Sequence, residues 1–297
     1  MPPELDFLMI LRILLPVFLF SLVCSSQAAE EILIVYRKDV ALYQKIAQTI
    51  EGEFGDRIHL LALDSRNKGN QSRLGGITPS LVIALGDLAS YNCQALSSRK
   101  ILLLISNPLI IQEAQKNRDC EVRLFTPPSL VLEKVHQIFP QFKRIGLIYT
   151  SRSQIYYKEA ERAAQTLGIE LISRRAGPEE IIRAVSEVIK ECEAFLLLPD
   201  PLLLRRAVFE NIIRQGFIYK KPIIGPSRST VRLGALLSVD YDFEFLLSQC
   251  RKVLKDYFKT GRLVCPEIPY KVHINEKTLK FMGLKTEVFP EPEIISK

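Results

Sequence analysis

Short apolar runs separated by amphipathic stretches recur along the chain from position 32 to position 239. The runs at 32–36, 58–63, 81–85 and 101–105 are continuous or nearly so. That is the pattern of parallel strands buried on both faces, whereas half-exposed strands alternate. Between them Tyr43, Ile46, Ala47, Ile50 and Phe54 fall on one helical face, and 88–96 predicts a second, short helix. The second half repeats the scheme with strands at 145–149, 169–173, 194–198, 222–225 and 235–239. Periodic helical segments separate them, one marked by Ile181, Ile182, Val185, Val188 and Ile189.

Alternation of this kind predicts an α/β fold with two Rossmann-like lobes, parallel sheets, right-handed connections and helices on both faces. Thr126, Pro127 and Pro128 stand where the chain crosses between halves. Thr126 suits a helix cap and Pro127 the first helical position, opening a helix over 128–139. Phe243, Leu246, Leu247, Cys250, Val253, Leu254, Tyr257 and Phe258 mark a long late helix, followed by an extended segment at 267–274 and a helix at 276–282. The expected division is a first lobe over 29–125 and a second over 126–240. Parts of 241–270 join the first lobe and parts of 271–285 the second, and 286–297 form a loose tail. A chain of 297 residues is long enough for two such cores.

The N-terminus changes the compartment. Arg12 and the apolar stretch 13–23, followed by Ser26, Gln27 and Ala28, have the form of a signal peptide with cleavage before Ala29 or Glu30. Glu4 and Asp6 are foreign to such a segment, which makes Met9 the expected start. The alternatives are a membrane anchor or a lipid on Cys24, which lacks the usual small neighbour. The expected location is therefore periplasmic or otherwise extracytoplasmic. Loss of residues 1–28 raises the formal charge by one from +7. The basic residues are scattered in pairs such as Arg174 and Arg175, with no long run and no stacking motif, so nucleic acid is not an expected partner. Five cysteines remain, an odd number, and one bridge is expected, Cys93–Cys120. No C-x-x-C occurs, and the three histidines are far apart, so no metal or other cofactor is expected.

The chain also lacks G-x-S-x-G, P-loop and G-x-G-x-x-G motifs, and no catalytic residues are predicted. What the architecture specifies is the ligand's place, beyond the carboxyl ends of the strands and near helix N-termini. Those ends supply Tyr36, Arg37, Gly86, Asp87, Ser106, Asn107, Tyr149, Thr150, Asp200, Ser227 and Asp240 as candidate binding residues. Asp39, Asp87, Asp200 and Asp240 each precede a predicted helix, and N-capping at about 1 kcal/mol apiece is the competing explanation. Tyr36 and Tyr149 suit stacking on a flat ligand or simple packing, and Arg37 an anion or solvent.

The segments PSLVIALG at 79–86, IGLIY at 145–149, GALLSVDY at 234–241 and NEKTLKFMGL at 275–284 occur in an order that resembles one family. It is the ABC transporter substrate-binding family with tryptophan- and tyrosine-binding members, and the likeness spans about 31–285. The resemblance implies the type I periplasmic binding protein fold, two lobes joined by three hinge crossings. It also implies a monomer that closes on a small-molecule ligand and delivers it to an ABC permease, without covalent chemistry. Asp200 and Asp240 match family positions. Asp87 stands where the family has Thr or Ser, and the stretch 120–125 lacks its Thr-Gly. A hydroxyl at 87 would hold a ligand carboxylate, whereas an aspartate repels one. A periplasmic sensory or scaffolding protein with the same fold is the alternative reading.

Overall fold

The computed structural model describes residues 31–65, 72–74, 76–286 and 293–295. The N-terminal apolar segment, its expected cleavage site and Cys24 lie outside the described residues. The architecture is α/β, with two sheets flanked by helices.

The first sheet contains β1 (Ile32–Arg37), β2 (Ile58–Leu63), β3 (Leu81–Leu85), β4 (Arg99–Ile105) and β5 (Cys120–Arg123). They lie in the order β2-β1-β3-β4-β5, all parallel. Helices α1 (Ala41–Phe54), α2 (Gly86–Asn92) and α3 (Pro108–Asn117) connect them. Side chains of β1 feed two cores: Ile32, Ile34 and Tyr36 meet Ile46, Ile50 and Phe54 of α1, while Leu33 and Val35 join the core behind. Burial on both faces is why these strands read as continuous apolar runs. The strand β5 carries Glu121 and Arg123 and gives no such run, so the hydrophobic pattern does not reveal it. It forms because β4 offers it a free edge.

The second half contains α4 (Pro128–Ile138), β6 (Arg144–Tyr149), α5 (Gln154–Leu167), β7 (Glu170–Arg175), α6 (Ile181–Glu191), β8 (Ala194–Leu196) and α7 (Arg206–Ile218). It continues through β9 (Ile223–Gly225), α8 (Arg228–Arg232), β10 (Leu237–Tyr241), α9 (Phe243–Thr260), β11 (Tyr270–Asn275), α10 (Glu276–Phe281) and β12 (Glu293–Ile295). The sheet order is β12-β11-β10-β9-β8-β6-β7, parallel except for the antiparallel pair β10–β11. Pro128, and not Pro127, occupies the first position of α4, with Pro127 as its N-cap. The strand expected at 235–239 begins two residues later, because Ala235 and Leu236 bond back to Thr230 and Ile223 before the ladder starts. Residues 293–295, expected in a loose tail, pair in parallel with His273–Asn275.

The chain passes between the two sheets three times, over 124–127, at Asp242 and over 261–269. After β10 in the second sheet, α9 returns to the first. There Leu246, Cys250, Val253, Leu254 and Tyr257 pack on the α1 side, and Arg251 and Lys255 reach Glu53 at 2.6 and 2.8 Å. A disulfide between Cys120 and Cys265 ties β5 to the third passage across 145 residues of chain. The expected Cys93–Cys120 bridge is therefore wrong. Cys93 is fully buried in the core behind α2, where desolvation pushes its thiol up to about 12, and Cys192 and Cys250 are also reduced and buried. Loop closure this long constrains the unfolded chain strongly. Replacing Cys120 and Cys265 together by Ser should lower stability by about 2–5 kcal/mol in chemical denaturation. The same loss should appear when dithiothreitol is added to wild type, and two coincident unfolding curves would remove this bridge from the native protein.

Candidate functional site

Parallel strands all end at the same edge of their sheet, and the expected binding residues collect there. Tyr36 and Arg37 end β1, Gly86 and Asp87 follow β3, and Ser106 and Asn107 follow β4. In the second sheet Tyr149 and Thr150 end β6, Asp200 lies in the turn after β8, Ser227 follows β9 and Asp240 lies near the end of β10. The contacts these residues make separate them into three clusters.

The first cluster is built around Asp87. Its Oδ1 accepts the backbone N–H groups of Ser106 (2.8 Å) and Asn107 (3.0 Å), and its Oδ2 accepts the Ser106 hydroxyl (2.7 Å). Asp87 lies in the first turn of α2 and caps nothing in its own helix. It staples the tip of β4, where Leu104 takes a left-handed conformation (φ 59°) at a register shift. Such a bulge re-aims the residues that follow it. Asn107 in turn caps α3 by accepting from the Leu109 N–H. Gly86 has φ +81°, and a Cβ there would lie 2.6 Å from the Tyr43 ring, so both conformation and space demand glycine. Tyr43, seen in the sequence only as part of a helical face, thus belongs to this site. Burial raises its hydroxyl pKa, Asp87 raises it further and Arg37 opposes them. Arg37 pairs with Asp39 at 2.7 Å, and Tyr36 is packed into the core at 8% exposure, which favours the packing role. Asp39 is no cap either, since the N-cap of α1 is Val40.

The second cluster closes on itself. The hydroxyls of Thr150 and Ser153 both donate to Asp200 Oδ2 at 2.6 Å, and the Leu202 N–H donates to Oδ1 at 2.7 Å. Asp200 is fully buried, and with α7 starting only at Arg206 it caps a turn and not a helix. Beside it, Tyr149 stacks flat on Tyr157, with ring centroids 4.0 Å apart and planes 6° apart. That face of Tyr149 is taken.

The third cluster leaves a carboxylate less fully matched. Asp240 accepts from the Ser238 hydroxyl at 2.6 Å and lies 3.5 Å from His273 Nε2 on the neighbouring strand β11. Desolvation pushes its pKa up to about 6, against the lowering effects of Ser238 and of the Arg228 backbone and charge. Ser227 opens α8 with a capping box to Thr230. His273 and Arg228 were missed in the sequence because only the β10–β11 register and the α8 start bring them to Asp240.

Two contacts join the sheets across the gap. The Tyr156 hydroxyl on α5 donates to the Ser106 carbonyl at 3.0 Å, and Arg123 at the end of β5 is shared between carboxylates. Its Nη1 reaches both oxygens of Glu159 at 2.8 Å, while Nη2 and Nε take Glu121 Oε1 at 3.0 and 3.2 Å. Burial pulls the guanidinium pKa down, but Glu159 and Glu121 together hold it above its ordinary value. Cavities of about 760, 440 and 660 Å³ lie beside the passages and at the opposite strand ends, and none of the three is lined by Asp87, Asp200 or Asp240.

With that geometry, residues 129–253 match the profile of the family described as ABC transporter substrate binding protein. The match takes in α4 to the middle of α9, and so the second cluster and, apart from His273, the third. Solved structures extend the likeness in fold to most of the chain. A ligand-free, open substrate binding protein with adhesive properties from Clostridium difficile superposes with TM-score 0.68 at 14% identity, covering 90% of this chain and 99% of that one. An ABC domain in complex with L-Trp from Streptococcus pneumonia gives TM-score 0.57 at 19% identity, covering 89% and 99%. A conserved domain protein from Vibrio cholerae gives 0.57 at 14%, covering 87% and 96%. The fold is that of type I periplasmic binding proteins. No curated protein matches the sequence.

Three measurements separate bracing from exposed groups in this fold. Asp200→Ala strands two buried hydroxyls and should cost about 3 kcal/mol in denaturant unfolding, whereas an exposed ligand contact would cost almost nothing. Gly86→Ala should lose about 2 kcal/mol or more, from strain and from the Tyr43 collision. Asp240 holds its proton up to about pH 6 in the folded chain but only to about 3.8 when unfolded. Its contribution to stability is therefore full below about 3.8 and is lost as pH rises through about 6. Asp240→Asn should then stabilise the protein by about 1–3 kcal/mol at pH 7 and leave it unchanged at pH 3.5. Equal stabilities at both pH values would contradict this.

Proposed function

We propose that the protein is an exported solute-binding component of an ABC importer. It captures a small polar or amino-acid-like solute bearing a cationic group between its two sheets and presents it to a membrane permease. The observation that carries this reading is Asp240, a largely desolvated carboxyl at the strand tips whose neighbours only partly compensate it. An ammonium group is the natural complement of such a carboxyl. Asp87 and Asp200 act on this reading as braces that fix the loops around the ligand. Arg37, Tyr43, Asn107, Ser227 and Arg228 supply its polar surroundings, and Gly86 lets the Tyr43 ring approach. A solute touching both halves favours the closed arrangement because only there does it make both sets of contacts.

The test is a thermal-shift screen of the purified mature chain against amino acids, amines, nucleosides and small anions. The expected hit carries an amine. Its affinity should rise as pH increases through about 6, because binding favours ionised Asp240, and the pH dependence should vanish in Asp240→Asn with at least about a tenfold loss at neutral pH. Small-angle scattering should show compaction when the hit is added. A hit that is anionic, or one whose affinity ignores both pH and Asp240→Asn, would overturn the assignment of the site.

A further inference from the structure

The three passages between the sheets converge on a feature that the strand tips do not use. A cavity of about 760 Å³ is lined there by Glu121 of β5, Tyr241 at the end of β10, Phe245 and Lys252 of α9, Glu267 of the third passage and Tyr270 at the start of β11. The rings of Tyr241 and Tyr270 stand 6.0 Å apart at 54°, and Phe245 and Tyr270 remain 48% and 43% exposed in this concave wall. The charge on the wall is unbalanced. Glu121 Oε1 accepts from Arg123 and Gln115, but Glu121 Oε2 is buried and has no hydrogen-bond partner. Arg123 does not neutralise it fully, because Glu159 takes the other arm of the guanidinium. Among the described residues of the lining, Glu121 and Glu267 face one cation, Lys252.

Aromatic faces attract cations. We propose that this cavity is a second ligand site, which takes a small organic cation with an ammonium group on an aromatic or apolar body. The ammonium lies along the acidic side of the wall, where Glu121 and Glu267 face Lys252, and the body packs on Tyr241, Phe245 and Tyr270. The third passage and the ends of β5 and β10 that lead into the other two wall the site, so its occupant touches or adjoins the segments that any relative movement of the sheets must bend.

The experiment is isothermal titration of phenethylamine into the mature Asp240→Asn protein, which takes the strand-tip carboxylate out of play. 2-Phenylethanol and phenylacetate serve as neutral and anionic matches of the same size. Phenethylamine should bind saturably and at least about tenfold more tightly than either control. Adding Tyr270→Ala should weaken it about threefold or more, and adding Lys252→Gln should tighten it, since that removes a cation that repels the ammonium. A structural disturbance would not produce these opposite signs. No saturation by about 20 mM phenethylamine, equal binding of the three probes, or weaker binding in Lys252→Gln would each overturn the proposal. Wild-type binding in the solute screen is a separate readout, so failure here leaves the strand-tip reading standing.

Discussion

A parallel sheet buried on both faces leaves its strand ends as the place where polar side chains can meet solvent, and this constraint organises the whole molecule. The β1, β3 and β4 interiors are almost wholly apolar because helices cover both sides. Parallel pairing then requires each connection to return over a face, which places helix starts beside the same ends. Carboxylates, hydroxyls and free backbone N–H groups therefore accumulate along one edge of each sheet, before any ligand is considered.

Much of that polarity is consumed internally. Asp87 and Asp200 each take three hydrogen bonds from neighbouring loops. A buried carboxylate has to be matched in this way or it destabilises the fold. The resulting loops are rigid, with defined exits for Ser106, Asn107 and Thr150. Asp240 differs in degree. It has one hydroxyl donor, a backbone N–H from Arg228 and a histidine at 3.5 Å, and burial still dominates its titration. Rigid braces around one imperfectly matched carboxyl are what a selective solute site requires.

The passages between sheets carry the remaining constraint. The Cys120–Cys265 bridge joins β5, which leads into the first passage, to the third, and Arg123 joins β5 to α5 through Glu159. Ion pairing in a desolvated setting contributes less to net stability than to fixing geometry, because desolvation offsets the attraction. Bridge and ion pair thus limit which relative positions the two sheets can take. The proposed second site lies among these same segments, where its occupant would act on that choice directly.

Sequence alone determined the architecture, since continuous apolar runs alternating with helical faces admit few packings other than parallel sheets covered on both sides. Strand tips as the polar edge followed from the same logic, which is why Asp87, Ser106, Thr150 and Asp240 were legible as candidates. Their roles were not. Capping was the expected bland role of the aspartates, yet Asp87 braces a loop 19 residues away and Asp200 one 50 residues away. Neither partner is implied by local spacing. β5 was invisible because an edge strand needs only a neighbour with free hydrogen bonds and not an apolar run. The disulfide joined Cys120 to Cys265 and not to Cys93, because Cys93 is committed to a core on the other side of the sheet. Tyr156, Arg123 and His273 reached the site through contacts between elements distant in sequence. Local pattern records which side of an element is buried; which partner covers it, and which polar groups that covering brings together, is decided only when the sheets pack.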